Sequence, residues 1–179
     1  MKKIIPFLLV LTPLFLATGC GMTAGGLKDD PGYAYFNTPY FWEADEELHI
    51  SLGPSVLAVG KKFIDDDEEF GALIADVRGI HLRVFDVRDN FDVLSEYIDT
   101  TSLQLQERGW ETLVSSRDED EYAEVMVKMV DTQIHGIVVL SAERDEAVFI
   151  NIIGDIKPQS VRPLIAEIYD DAPRITTTL

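Results

Sequence analysis

Cysteine is almost missing from this chain. Cys20 is the only one, so no internal disulfide can form and no pair of thiols can hold a metal. Histidine is scarce as well: His49, His81 and His135 lie far apart, with no H-x-x-x-H or comparable ligand spacing, which removes the usual imidazole metal sites. A lone His on an alternating strand reads as a surface or hydrogen-bonded residue before it reads as a catalyst. No Ser stands in a G-x-S-x-G turn, and there is no Gly-rich phosphate loop or dinucleotide fingerprint. No cofactor is therefore expected, and no small-molecule ligand is evident. Basic residues are outnumbered, with 15 Lys+Arg against 32 Asp+Glu and a net charge of −17. A surface this acidic repels phosphate backbones and anionic headgroups, so nucleic acid is not expected as a partner. Finally, no apolar run reaches the roughly 20 residues that span a bilayer.

The longest apolar run, Ile4 to Ala17, follows Lys2 and Lys3 and ends in small residues, which is the layout of an export signal. Its end, Leu16-Ala17-Thr18-Gly19-Cys20, resembles the lipobox of bacterial lipoprotein precursors, although Ala17 stands where Leu is commonest. The resemblance implies cleavage before Cys20, a diacylglycerol on its thiol, and usually a further acyl chain on the new N-terminus. Two or more chains hold a protein stably at a bilayer, at about 0.8 kcal/mol per buried methylene. In a Gram-negative host, Gly21 in place of Asp after the Cys implies the outer membrane, with the domain facing the periplasm. Loss of residues 1–19 removes two Lys and leaves 13 basic against 32 acidic residues. The expected partner is thus the membrane itself, through lipid on Cys20, with an envelope protein as a further partner.

Residues 20–45 carry Gly25-Gly26, Asp29-Asp30-Pro31-Gly32 and Pro39 without any period, and read as a lipidated tether. Six aromatics, Tyr33, Tyr35, Phe36, Tyr40, Phe41 and Trp42, do not belong in a solvated spacer and require cover. Folding back onto the domain is the favoured reading. Contact with the membrane interface or with a partner protein are the alternatives.

Residues 46–171 are expected to form one α+β domain, an antiparallel, partly mixed sheet of five or six strands with helices packed on one face, followed by a tail over 172–179. Leu48, Ile50 and Leu52 alternate as a strand, and Pro54 opens a helix reaching about Ile64. Asp65–Glu69 caps a second short helix holding Leu73, Ile74 and Val77 and closed by Gly79. Ile80, Leu82 and Val84 form the next strand. Asp89 or Asn90 caps a long helix with the stripe Leu94, Ile98, Thr101, Leu105, stopped by Gly109. The runs Trp110–Ser115, Tyr122–Val130, Ile134–Ala142 and Ala147–Gly154 then read as a meander. Ile137 to Leu140 lacks alternation, which places that strand centrally. A last helix is expected over Pro158–Tyr169. Alternation also sets Asn151 opposite Ile150 and Ile152, so its amide is expected to face solvent.

Gly109-Trp110-Glu111, the strand pair from Ile134 to Ile156, and the earlier Leu52-Gly53-Pro54 together resemble a family of small bacterial proteins grouped as domain of unknown function forty-two fifty-two. The resemblance covers about Glu47 to Tyr169. It implies this fold and an envelope location, but no catalytic residues.

Two acidic clusters remain. Read as a calcium loop from Asp65, the sixth position is Phe70 where Gly is needed and the twelfth is Asp76 rather than Glu, so the EF-hand pattern fails. Both this run and Asp118–Glu121 read as solvated loop or cap, with weak calcium binding in an envelope compartment as the lesser alternative. The functional expectation is a membrane-anchored, non-enzymatic protein-binding or accessory lipoprotein. Its competitors are an envelope-stress or signalling accessory role, and a hydrolase built on a carboxylate pair distant in sequence.

Overall fold

The computed structural model describes residues 22–36, 45–61, 74–87 and 91–161. Six strands, β1 (Asp45–Leu52), β2 (Val77–Asp86), β3 (Glu111–Arg117), β4 (Glu121–Val130), β5 (Gln133–Glu143) and β6 (Glu146–Ile156), form one antiparallel sheet in the order β1-β2-β6-β5-β4-β3. Among the described residues two α-helices are delimited, α1 (Pro54–Gly60) and α2 (Phe91–Glu107), and Ile74 and Ala75 are helical as well, where the sequence leads one to expect the second short helix. The α+β class is thus as the sequence indicates, with every strand pair antiparallel. Strands β3 to β6 form the meander, joined by tight turns at the charged breaks, and Asp131 takes positive φ in the β4–β5 turn, a conformation Asp tolerates.

Strand β5 lies inside the sheet, and its apolar run explains why. Val138, Leu140 and Ala142 point to one face while Ile137 and Val139 point to the other, and both sets join apolar clusters. On the first face α2 lays Leu94, Ile98 and Leu105 over Met126, Leu140 and Phe149. Burying each of these helix residues is worth about 1.5–3 kcal/mol. Gly109, at φ 79°, ends the chain reversal after α2, as its position after the apolar stripe predicts. Pro54 sits at the start of α1, again as expected. On the opposite face, Leu57 of α1 and Val161 pack with Val77, Val127, Ile137 and Ile156. The helices therefore divide between the faces instead of sharing one. The physical reason is that β4, β5 and β6 are apolar on both sides, so a single helical layer would leave half of that surface wet.

Two local expectations change. Gly79 does not close a helix: β2 already begins at Val77, and Gly79 lies inside it next to a register shift. A Cβ there would come within 2.6 Å of Leu27 Cδ1, so the glycine makes room for the chain crossing above. The N-terminal residues are that crossing chain. Ala24, Gly32 and Ala34 are buried, and residues 22–36 run over the part of the first face that α2 leaves open. The final helix is seen only as the 3₁₀ turn Pro158–Val161, and the run Asp65–Glu69 and the caps Asp89 and Asn90 lie outside the described residues. The second acidic cluster, Asp118–Glu121, forms the exposed β3–β4 turn.

This segment approaches the sheet closely at Gly136. A Cβ at that position would lie 2.5 Å from the Gly32 carbonyl oxygen and 2.6 Å from Trp110 Cη2. Gly136→Ala should cost about 1–3 kcal/mol of unfolding free energy in urea, the usual penalty of overpacking. Gly60→Ala, where an added Cβ meets nothing within 4 Å, should be neutral or slightly stabilising in the same assay.

Candidate functional site: the polar row beneath the N-terminal segment

A chain segment without its own helix or ladder must find partners elsewhere for its buried amides and carbonyls. Residues 22–36 find them in side chains of the sheet. Ser51 pairs with His81, and His81 with Asn151, across β1, β2 and β6, so the three side chains form one lateral row on the first face. Ser51 Oγ accepts from the Ala24 amide at 3.1 Å. Asn151 Oδ1 accepts from the Ala34 amide at 2.9 Å, and its Nδ2 donates to the Gly32 carbonyl at 3.0 Å and to the Ile137 carbonyl at 3.3 Å. Asn151 is 0% exposed. This corrects the expectation that it faces solvent: alternation does set it opposite Ile150 and Ile152, but the face it occupies is covered by chain, not by water.

His81 sits between the two clamps. The Tyr33 ring meets it edge-on with centroids 5.3 Å apart, and its Nε2 is buried with no hydrogen-bond partner among the described residues. Burial pulls the imidazole below its ordinary value, against a raising hydrogen bond with the Ala24 backbone, while His49 and Arg83 nearby add to the lowering. Burial likewise pushes the Tyr33 phenol up, with Tyr35 adding to it.

A second set of contacts holds the turn at the far end of the segment. Asp30 Oδ1 accepts from the Gly32 amide at 2.9 Å, and Asp30 Oδ2 lies 2.7 Å from Arg78 Nη2. Arg78 also reaches Asp155 at 3.3 Å, and Asp155 lies 3.3 Å from His135 Nδ1. His135 thus stands at the border of the segment, its Nδ1 near Asp155 but without a hydrogen-bond partner among the described residues.

Of the aromatic residues singled out in the sequence, Phe36 packs on Phe149 with centroids 5.8 Å apart, and Tyr33 stacks edge-on against Tyr35 at 4.8 Å. Tyr35 remains 48% exposed, with its hydroxyl donating to the Lys28 carbonyl at 3.1 Å. Tyr40, Phe41, Trp42 and Cys20 lie outside the described residues. Two clefts border the segment. One of about 400 Å³ is lined by Lys28, Asp30, Pro31, Tyr33, Tyr35, Arg108 and Trp110; a smaller one of about 150 Å³ is lined by Tyr33, Ala34, Phe36, His49, His81 and Arg83. The Arg108 guanidinium stands 5.9 Å from the Tyr35 ring, and Arg83 is held to Glu46 by its Nε at 3.0 Å. That hydrogen bond holds Glu46 below the usual carboxylate range.

Sequence reading missed one further constellation. Glu124 is buried on β4 and accepts from Ser102 Oγ at 2.8 Å and Thr112 Oγ1 at 2.7 Å. The Tyr122 hydroxyl lies 3.0 Å from both Glu124 Oε2 and Asp99 Oδ1. Arg117 closes the chain with Nη2 2.8 Å from Asp99 Oδ2 and its guanidinium 4.2 Å from the Tyr122 ring centre. This is a pair of carboxylates brought together from distant sequence, as the hydrolase reading asks. Here, however, the Tyr122 hydroxyl bridges them, and neither cleft reaches them. Burial, reinforced by the two acidic neighbours, pushes that phenol strongly up, so it stays a donor. The network ties α2 to β3 and β4. Among the described residues, no group of three or more His, Cys, Asp or Glu is arranged to hold a metal ion.

Removing the Asn151 clamp leaves the Ala34 amide and the Gly32 carbonyl buried without partners. Asn151→Ala should therefore lower stability by about 1–3 kcal/mol in urea unfolding, more than Ser51→Ala, which frees one amide. His81 supplies a pH signature. Because burial lowers its folded value, the unfolded chain takes up the proton first. The stability tied to neutral His81 is fully present above the unfolded value, about 6.5, and is lost as pH falls from there through the lower folded value. Melting temperatures recorded between pH 8 and 5 should fall less steeply for His81→Gln than for the native chain.

No curated protein and no solved structure matches the chain. A family model does match: it is described as Domain of unknown function (DUF4252) and covers residues 36–164, which is well over half of the 179 residues. The matched region holds every strand of the sheet and both clamping residues Ser51 and Asn151, and the chain belongs to this family of unknown function.

Proposed function

We propose that the mature protein is a lipid-anchored envelope protein, held through acyl chains on Cys20 at the outer membrane with its domain in the periplasm, and that it acts by binding another envelope protein rather than by catalysis. The observation that carries the anchor is the lone Cys at the end of a short apolar run behind two Lys. Support for a binding role comes from the aromatic segment. Tyr35 stays half exposed beside Lys28 and Arg108, on the rim of an open cleft backed by Trp110. In a chain with twice as many acidic as basic residues, these two cations on an aromatic surface suit an acidic partner segment, with rings supplying contact area at low entropic cost. The residues Tyr40, Phe41 and Trp42 follow in the same stretch of sequence and extend the same chemistry.

Cys20→Ser should abolish palmitate labelling of the protein in cells. Replacing Tyr35 with a photo-crosslinking residue should then yield a discrete adduct with one envelope protein in the native background, weakened by charge reversal at Arg108. Persistent labelling of the Cys20 variant contradicts the anchor; a ladder of unspecific adducts, or none, contradicts the binding role.

A further inference from the structure

The structure brings the beginning of the mature chain against one particular place on the domain. The Gly53 amide donates to the Met22 carbonyl at 2.9 Å. Cys20 precedes Met22 by two residues, and an extended chain covers at most about 3.6 Å per residue. A lipid on Cys20 would therefore be joined to the β1–α1 junction through only two residues of main chain. A protein attached there has no slack to hover above the bilayer, and the surface around the junction must face it.

Helix α1 buries Leu57 and turns Val59, 58% exposed, and Val56, 37% exposed, outward. These two lie three residues apart, on one side of the helix. Met22, 56% exposed, is fixed to the residue just before it. In a chain of 32 acidic residues there is no Asp or Glu between Glu47 and Asp65, and none between Cys20 and Asp29. The charges these stretches do carry include Lys28 and Lys61, and Lys61 spans from the end of α1 to the Ala75 and Val77 carbonyls. Asp30 is engaged by Arg78, and Asp76, between the two carbonyls that Lys61 reaches, lies 3.8 Å from Lys157. The result is a small patch of exposed apolar side chains, Met22, Val56 and Val59, with Lys61 following at the end of α1. That is the pattern of a surface that lies in the headgroup layer.

We infer that Met22 and the outer face of α1, Val56 and Val59, insert into the interfacial layer of the bilayer, so that the lipid anchor and this patch together hold the domain in one orientation. This rests on acylation of Cys20. The bilayer, not a second protein, is the occupant, because the covalent distance from the acyl chains to the patch leaves nothing else as near. The orientation keeps the opposite edge strand β3, five strand spacings or about 24 Å away, and its carboxylate-rich turn Asp118–Glu121 clear of the membrane.

The test uses the acylated protein purified from cells and reconstituted into vesicles of phosphatidylcholine with phosphatidylglycerol. Val59→Cys and, as control, Leu113→Cys on β3 each carry one environment-sensitive fluorophore, the native thiol being consumed by acylation; both side chains are exposed. Palmitate labelling and flotation with the vesicles are recorded for each variant. The expected result is that both variants float, the probe at Val59 shifts to the blue and loses most of its emission to a nitroxide carried at headgroup depth, and the probe at Leu113 does neither. Floating protein whose Val59 probe remains as wet as the control overturns the insertion while leaving the anchor intact. A Val59 probe that is dry yet unquenched by the lipid-borne nitroxide overturns it in favour of a protein contact. Protein without palmitate that fails to float removes the anchor, and the insertion with it.

Discussion

The amide of Asn151 stands between the main chain of residues 32–34 and the sheet beneath. It is the only polar side chain in the described structure that bonds both an amide and a carbonyl of the N-terminal segment, and it reaches the neighbouring strand at Ile137 as well. An apolar residue there would leave two main-chain groups buried without partners, at a cost of one to a few kcal/mol by general experience. The seat for Phe36 on Phe149 and the edge contact of Tyr33 with His81 both presuppose that the backbone at Gly32 to Ala34 is held in place. The polar row Ser51, His81, Asn151 is therefore best understood as a surface shaped to hold irregular chain. Across the same face, where α2 satisfies its own backbone, the sheet is apolar apart from the Tyr122–Glu124 cluster.

This division explains the architecture of the layer. One half of the face receives a helix and carries Met126, Leu140 and Phe149; the other receives a strap and carries hydrogen-bonding side chains. Glu124 is the exception on the helical half, and it is offset by three hydroxyl groups that converge on it. A buried carboxylate so surrounded links α2 to the β3–β4 hairpin through hydrogen bonds.

Periodicity made much of this fold legible. The β meander, the interior position of β5, the apolar stripe of α2 and the positive φ at Gly109 all follow from local pattern, because each is a response of neighbouring residues to one buried face. What pattern does not carry is the identity of the covering layer. Alternation places Asn151 on the face away from Ile150 and Ile152, but the same alternation fits water or a packed strap, and only the tertiary structure distinguishes them. Gly79 shows the same blindness: a glycine at the end of an apolar run reads as a helix stop, whereas here it admits the Leu27 side chain from a segment more than fifty residues earlier. The aromatic cluster at Tyr33 to Phe36 was the one local sign that residues before β1 need cover. The Asp99–Tyr122–Glu124 cluster had none, since its members come from a helix and a strand and meet only in space.

If the strap is an integral layer of the domain, its amides should exchange with solvent only when the sheet itself opens. Native-state hydrogen exchange at Ala34 is the most direct measurement. The account predicts that the Ala34 amide is protected to nearly the same free energy as the interior of β6. Exchange at Ala34 close to the rate of a free peptide, with β6 still protected, would contradict it.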